Sequence, residues 1–95
     1  MDKAAFEAKL RAEGYDEVTT RTVDKAMETP IHTHPFDASA MILEGRMHVV
    51  CDGVTTTCGA GDTFSLEAGR EHLERYGEQG ATFIVGRRHR AEKAA

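Results

Sequence analysis

His32-Thr33-His34-Pro35-Phe36-Asp37-Ala38-Ser39-Ala40-Met41-Ile42-Leu43-Glu44-Gly45 joins two histidines, one residue apart, to an apolar run that closes on a glycine. In an extended backbone residues i and i+2 point to the same face, so both imidazoles can converge on one ion. Two imidazole nitrogens make half of a typical transition-metal site. On spacing alone the alternative is a pair of surface or hydrogen-bonded histidines beside Pro30 and Pro35. Further along, Gly61-Asp62-Thr63-Phe64-Ser65-Leu66-Glu67-Ala68-Gly69-Arg70-Glu71-His72 brings in a third histidine, followed by Leu73, Glu74, Arg75 and Tyr76. On a strand, Glu74 and Tyr76 share the face of His72.

Outward from these segments the chain reads as short strands between turns. The β-branched residues Val18, Thr19, Thr20, Thr22 and Val23 suit a strand from about Glu17. Strand-like runs then follow at about 29–34, 38–44, 46–51, 54–58, 62–66, 71–76 and 81–86. The turn signals between them are Glu44-Gly45, Asp52-Gly53, Gly59-Ala60-Gly61, Ala68-Gly69 and Gly77-Glu78-Gln79-Gly80. Many short strands at close spacing predict a sandwich or barrel. Ahead of them, residues 2–13 are predicted as a helix, with Asp2 as N-cap, Phe6 and Leu10 paired at i,i+4, and Gly14 as the stop. A helix this short must pack on something to persist.

Two cysteines flank the Asp52-Gly53 hairpin signal. That turn sets Cys51 opposite Val54 and leaves Cys58 four residues further on, about 13 Å away at roughly 3.3 Å per residue. A disulfide needs Cα atoms closer than about 7 Å, so both are expected as free thiols on one side of the sheet, facing the interior. Free thiols fit a reducing compartment.

The chain has 95 residues, which is the length of one domain, and its small size makes a second subunit or a bound metal useful for stability. A net charge of −4 argues against a nucleic-acid binder. No apolar run is long enough to cross a membrane, and no apolar segment of a secretory signal follows Met1-Asp2-Lys3-Ala4-Ala5, so the cytoplasm is the expected compartment. Arg87, Arg88, His89, Arg90 and Lys93 read as a solvated basic tail, with a contact to phosphate or an acidic partner as the alternative. His48 and His89 lack a ligand-like spacing.

The two histidine-bearing segments resemble the motifs of the cupin superfamily. The first motif runs His-x-His, three or four residues, Glu, six residues, Gly, and is matched at His32, His34 and Gly45. The second runs Gly, five residues, Pro, any residue, Gly, two residues, His, three residues, Asn, and is matched at Gly61, Gly69 and His72. The resemblance covers about residues 26–86. It implies an all-β, double-stranded β-helix barrel of the jelly-roll, RmlC-like type spanning about 17–88, with the helix 2–13 packed outside and a basic tail at 89–95. It also implies a homodimer and a divalent metal on His32, His34 and His72. Four positions depart from the motifs. Ala26 replaces the opening glycine, Ala38 the glutamate that is normally the fourth ligand, Glu67 the proline and Tyr76 the asparagine.

The vacancy at Ala38 leaves two possibilities: a three-histidine site, or a substitute carboxylate. Asp37 is adjacent, but strand parity turns it away. Glu74 shares the face of His72 and is the preferred candidate as ligand, as a partner orienting a histidine, or as a general base. A surface charge paired with Arg70 or Arg75 is its alternative. The small Ala38 and Ala40, with Met47, Phe64, Tyr76 and Phe83, suggest a partly apolar pocket over the metal, or simply barrel core. The leading function is a metal-dependent dioxygenase of a small organic molecule, with Glu74 and Tyr76 as catalytic groups. Iron fits oxygen chemistry, and Mn, Ni, Zn or Cu are compatible with imidazole ligands. The alternatives are a non-catalytic small-molecule sensor and a metal-independent isomerase or epimerase.

Overall fold

A computed structural model describes residues 1–89 of the chain. Helix α1 (Lys3–Ala12) is followed by strands β1 (Glu17–Val23), β2 (Met27–Glu28), β3 (Phe36–Cys51), β4 (Val54–Cys58), β5 (Thr63–Leu66) and β6 (His72–His89). All pair antiparallel in one sheet ordered β1-β6-β3-β4, with β2 added on β6 and β5 on β3. This is the cupin jelly-roll architecture that the motifs imply.

The helix begins where Asp2 accepts a hydrogen bond from the Ala5 amide at 2.8 Å, which satisfies one of the amides left open at a helix start. Its Phe6 and Leu10 are fully buried against Met41 and Ile84 on the outer face of the sheet. A separate inner core contains Phe36, Ala38, Ala40, Ile42, Met47, Val49, Phe83 and Val85. Residues on either side of one strand therefore serve two cores. Met41 faces the helix while Ala40 and Ile42 face the interior.

Strands β3 and β6 pair along nearly their whole length, from Phe36↔His89 to Cys51↔His72. The sequence signals at Glu44-Gly45 and Gly77–Gly80 are thus not strand ends. They are irregularities within two long strands, where the register shifts between Ile42 and Glu44 and again between Gly45 and Met47. A bulge bends a strand and raises its twist, which lets one strand pair serve both halves of the barrel. It also switches parity: Ala38, Ala40 and Ile42 face inward before it, and Met47 and Val49 after it.

The run predicted at 29–34 is a second correction. Only Met27 and Glu28 pair regularly with β6, and within 29–34 a single bridge joins His32 to His72. Pro30 and Pro35 lack the amide hydrogen a ladder needs, so this segment cannot continue as a strand. The basic tail is a third. Arg87, Arg88 and His89 belong to β6. Arg88 donates to the Glu13 carbonyl at 2.7 Å, lies over the Tyr15 ring and pairs with Asp37, which ties the end of the helix to the barrel. Arg90 and Lys93 lie outside the described residues.

The hairpin register is as the turn predicts, with Cys51↔Val54 and Met47↔Cys58, and both cysteines are free. They differ in burial. Cys58 is 1% exposed, and burial followed by the Asp62 carboxylate raises its thiol pKa. Cys51 is only half-buried, its Sγ accepting from Arg70 at 3.3 Å. Native protein treated with a chromogenic disulfide reagent should therefore release one equivalent quickly and the second only on unfolding. Cys51→Ser should remove the fast phase; a fast phase that survives this change would contradict the burial of Cys58.

Candidate metal centre

The start of β6 delivers His72, Glu74 and Tyr76 to one face, opposite Cys51, Val49 and Met47 of β3. The proline-bounded segment is laid along the same stretch of β6. The His32 amide donates to the His72 carbonyl at 2.9 Å, and the reciprocal bond is 3.0 Å. Thr29 adds a further pair, its amide donating to the Glu74 carbonyl and its Oγ1 accepting from the Glu74 amide. The His34 carbonyl accepts from the Gly69 amide at 2.9 Å. The spacing of His32 and His34 was read as strand parity. Here one paired residue and two turn contacts achieve the same convergence.

His32, His34, His72 and Glu74 each offer a donor atom, and these atoms lie within 4.8 Å of one another. The three imidazole centroids are 4.4–5.1 Å apart. Glu74 Oε2 lies 3.4 Å from His72 Nε2 and 3.7 Å from His32 Nε2. Both of those histidines commit their other nitrogen to a backbone carbonyl. His32 Nδ1 donates to Pro30 at 2.7 Å and His72 Nδ1 donates to Arg70 at 3.0 Å. Such a bond selects the tautomer in which Nε2 carries a free lone pair, the usual arrangement behind a metal-ligating imidazole. Burial, and then the neighbouring His32 and His72, lower the His34 pKa and favour its neutral form as well.

Tyr76 completes the row. Its hydroxyl donates to Glu74 Oε1 at 2.6 Å, and burial together with that bond raises the phenol pKa well above its ordinary value. The phenol therefore stays protonated, and Glu74 is held with Oε2 turned to the histidines.

The donor set fits a cation. His72 Nε2 is buried with no hydrogen-bond partner, and it faces other acceptor atoms. A proton would bridge only one such pair, whereas one divalent ion would serve all four donors. Three nitrogens and a carboxylate oxygen suit Fe, Mn, Ni, Cu or Zn.

The predicted residues separate clearly. His32, His34, His72 and Glu74 come together, and Tyr76 joins them through Glu74. Asp37 does not; its carboxylate accepts from the Ala68 amide and from Arg88. Glu74 is not a surface charge, since Arg75 pairs with Glu28 and Arg70 with Asp52. His48 bonds to Thr57 and His89 pairs with Glu17, both away from the cluster.

Above the donors is a cavity of about 190 Å³, lined by Ala38, Met47, Phe64, Tyr76 and Phe83 as the sequence suggests. Ala40 is instead sealed in the core. Sequence reasoning missed Thr29, Arg21 and Arg87 on this wall. The signal for Arg87 was present: it continues the inward parity of Phe83 and Val85.

The sequence matches the cupin domain over residues 20–85. No curated protein matches it. Among solved structures, a protein of unknown function from Rhizobium leguminosarum bv. viciae 3841 is similar at 25% identity and TM-score 0.72, over 77% of this chain and 69% of that one. An RmlC-like cupin from Shewanella frigidimarina NCIMB 400 is similar at 25% identity and TM-score 0.64, over 80% and 67%. The polyketide cyclase RemF from Streptomyces resistomycificus is 28% identical with TM-score 0.64, over 74% of this chain and 52% of that one. The match runs from β1 into β6 and takes in every donor of the cluster, and on these grounds the chain belongs to the cupin domain family.

Proposed function

We propose that the chain is a metal-dependent enzyme that holds one divalent ion on His32, His34, His72 and Glu74 and transforms a small organic molecule in the cavity above it. The observation that carries this reading is the buried, partnerless Nε2 of His72, which faces His32 and Glu74 at the floor of that cavity. When bound, the ion supplies Lewis-acid polarisation and open coordination positions, which in a dioxygenase would be an Fe(II) centre.

The chain's own residues supply the rest. Carbonyls of Pro30 and Arg70 hold the His32 and His72 rings with Nε2 inward. Tyr76 fixes the Glu74 carboxylate through Oε1. The proton on Tyr76 Oη is the one placed to pass to or from a substrate atom beside the donors, with Glu74 as its relay partner. Phe36, Phe64, Leu66 and Phe83 exclude water from the same space. At about 190 Å³ the cavity is smaller than the usual drug-sized pocket, so the substrate is a small metabolite.

The test has two parts. Copper(II)-loaded protein should give an electron paramagnetic resonance spectrum with nitrogen hyperfine structure from several imidazoles, altered in Glu74→Gln. A mixture of small organic compounds is then incubated with protein loaded with Fe(II), Mn, Ni or Zn and followed by NMR, under air and under argon. Loss of a compound only under air identifies a dioxygenase. Loss under both conditions identifies a lyase, cyclase or isomerase. Binding without loss for every metal would mark a sensor and overturn the enzyme reading.

A further inference from the structure

The cavity wall carries a charge pattern at odds with the chain as a whole. The protein is acidic, with a net charge of −4. Among the cavity-lining residues, however, the formally charged side chains are Arg21, Arg87 and Glu74, so the lining is net positive even before a cation is added.

Arg87 is placed with some care. It is half-buried near the end of β6, opposite Ala38 on one side and Glu17 on the other. Its guanidinium lies over the Phe36 ring, 4.8 Å from the centroid, and Phe36 in turn stacks on His34 at 4.7 Å with an interplanar angle of 18°. The stack limits the freedom of the guanidinium and sets it beside the metal-donor row, close enough for its charge to act on His34. The acid opposite it in register, Glu17, is taken by His89 at 2.7 Å. Arg11, Arg70, Arg75 and Arg88 all pair with carboxylates, but Arg87 and Arg21 pair with none among the described residues. Arg21 stands at the other end of the row, opposite Phe83 in register, where Tyr76 stacks on Phe83.

A part-buried guanidinium on a cavity wall, held by stacking and left without an anion, has its fork free for one. We propose that this cavity takes a small organic carboxylate, its carboxylate held by Arg87, with Arg21 adding positive charge at the rim and the apolar body lying against Phe64, Phe83 and Val85. A single planar fork fits one carboxylate, whereas a phosphate group usually gathers several donors around its three oxygens. The inference rests on the reading of the cavity as the substrate site but not on the reaction that occurs there.

The experiment is a ligand titration of zinc-loaded full-length protein by NMR, with the metal content of each sample measured alongside. The probes are butyrate and benzoate, their primary amides, and inorganic phosphate. The carboxylates should shift the resonances of cavity residues and bind at least about tenfold more tightly than their amides, as expected for a charge-assisted pair. Arg87→Gln should weaken carboxylate binding by about the same factor and leave the amides unchanged, while Arg87→Lys should restore part of the loss. Arg46→Gln removes the same charge at an exposed site outside the cavity and should change nothing. One zinc per chain in every variant would separate this result from a failure of the metal site.

Equal binding of acid and amide, or carboxylate affinity indifferent to Arg87→Gln with zinc retained, overturns the proposal and leaves the metal reading standing. Tighter binding of phosphate than of either carboxylate overturns it in favour of a phosphorylated ligand. The absence of binding by any carboxylate at millimolar concentration overturns it outright. Wild-type protein that takes up no zinc refutes the metal centre itself.

Discussion

Alanine at His72 should abolish metal binding and, with it, nearly all of the difference in thermal stability between metal-loaded and metal-free protein. An ion that binds only the folded chain stabilises it by about 4 kcal/mol when free ion exceeds its dissociation constant about 1,000-fold. In a domain of roughly this length each kcal/mol moves the midpoint by about 4–8 °C. The wild-type midpoint should therefore rise by roughly 15–30 °C on loading. In His72→Ala the rise should collapse, because the most deeply buried donor is gone and the remaining ones face a cavity that water can enter. Without metal the substitution should be much milder than its burial suggests. It removes a sealed nitrogen with no partner, a defect worth about 1–3 kcal/mol, and this offsets the lost packing and the lost bond to Arg70. Differential scanning fluorimetry with and without chelator reads all four states. Equal metal-induced shifts in wild type and variant would show that the ion binds elsewhere.

Alanine at Gly80 should come close to preventing folding. Gly80 has φ +73°, and a Cβ built there overlaps the carbonyl oxygen of Val23, a backbone atom with no freedom to move aside. The partner glycine faces the same constraint: Gly45 has φ +82°, and its Cβ would overlap the carbonyl oxygen of Gly80. The two glycines mark the place where β1, β3 and β6 pass closest. Gly53 serves as the control. Its φ is +75°, but a Cβ there meets nothing within 4 Å. Gly53→Ala should cost only the left-handed backbone penalty, about 1–2 kcal/mol. Gly80→Ala adds a backbone clash and should cost on the order of 4 kcal/mol or more, a large part of the roughly 5–15 kcal/mol that holds a typical domain together. Urea midpoints for the two variants separate strain from clash, and similar losses would mean that the crossing can relax.

Much of the chain was legible because its signals are local. Asp2 caps the helix, Phe6 and Leu10 are its buried pair, and Asp52-Gly53 makes the hairpin with Cys51 opposite Val54. Parity within one unbroken stretch was also a sound guide: His72, Glu74 and Tyr76 do face one way, and Asp37 is turned from the cluster. What misled was punctuation. Glycine at Gly45 and Gly77–Gly80 reads as chain reversal, because φ above zero is what a turn requires. A bulge where strands cross requires the same φ, and no feature of the local sequence tells the two apart.

The residues by themselves determined the order of the elements, the all-β class, and which side chains carry metal chemistry, because capping, turn formation and alternation act over a few positions. The tertiary structure alone decided how those pieces meet. Antiparallel pairing of β6 with the proline-bounded segment brings His32 and His34 to within 4.8 Å of His72 and Glu74, across some forty residues of chain. It likewise turned Arg87 from a solvated charge into part of a cavity wall. Whether a charged side chain meets water, an acid or a site depends on which distant strand lies beside it, and that is set by the register of the whole sheet.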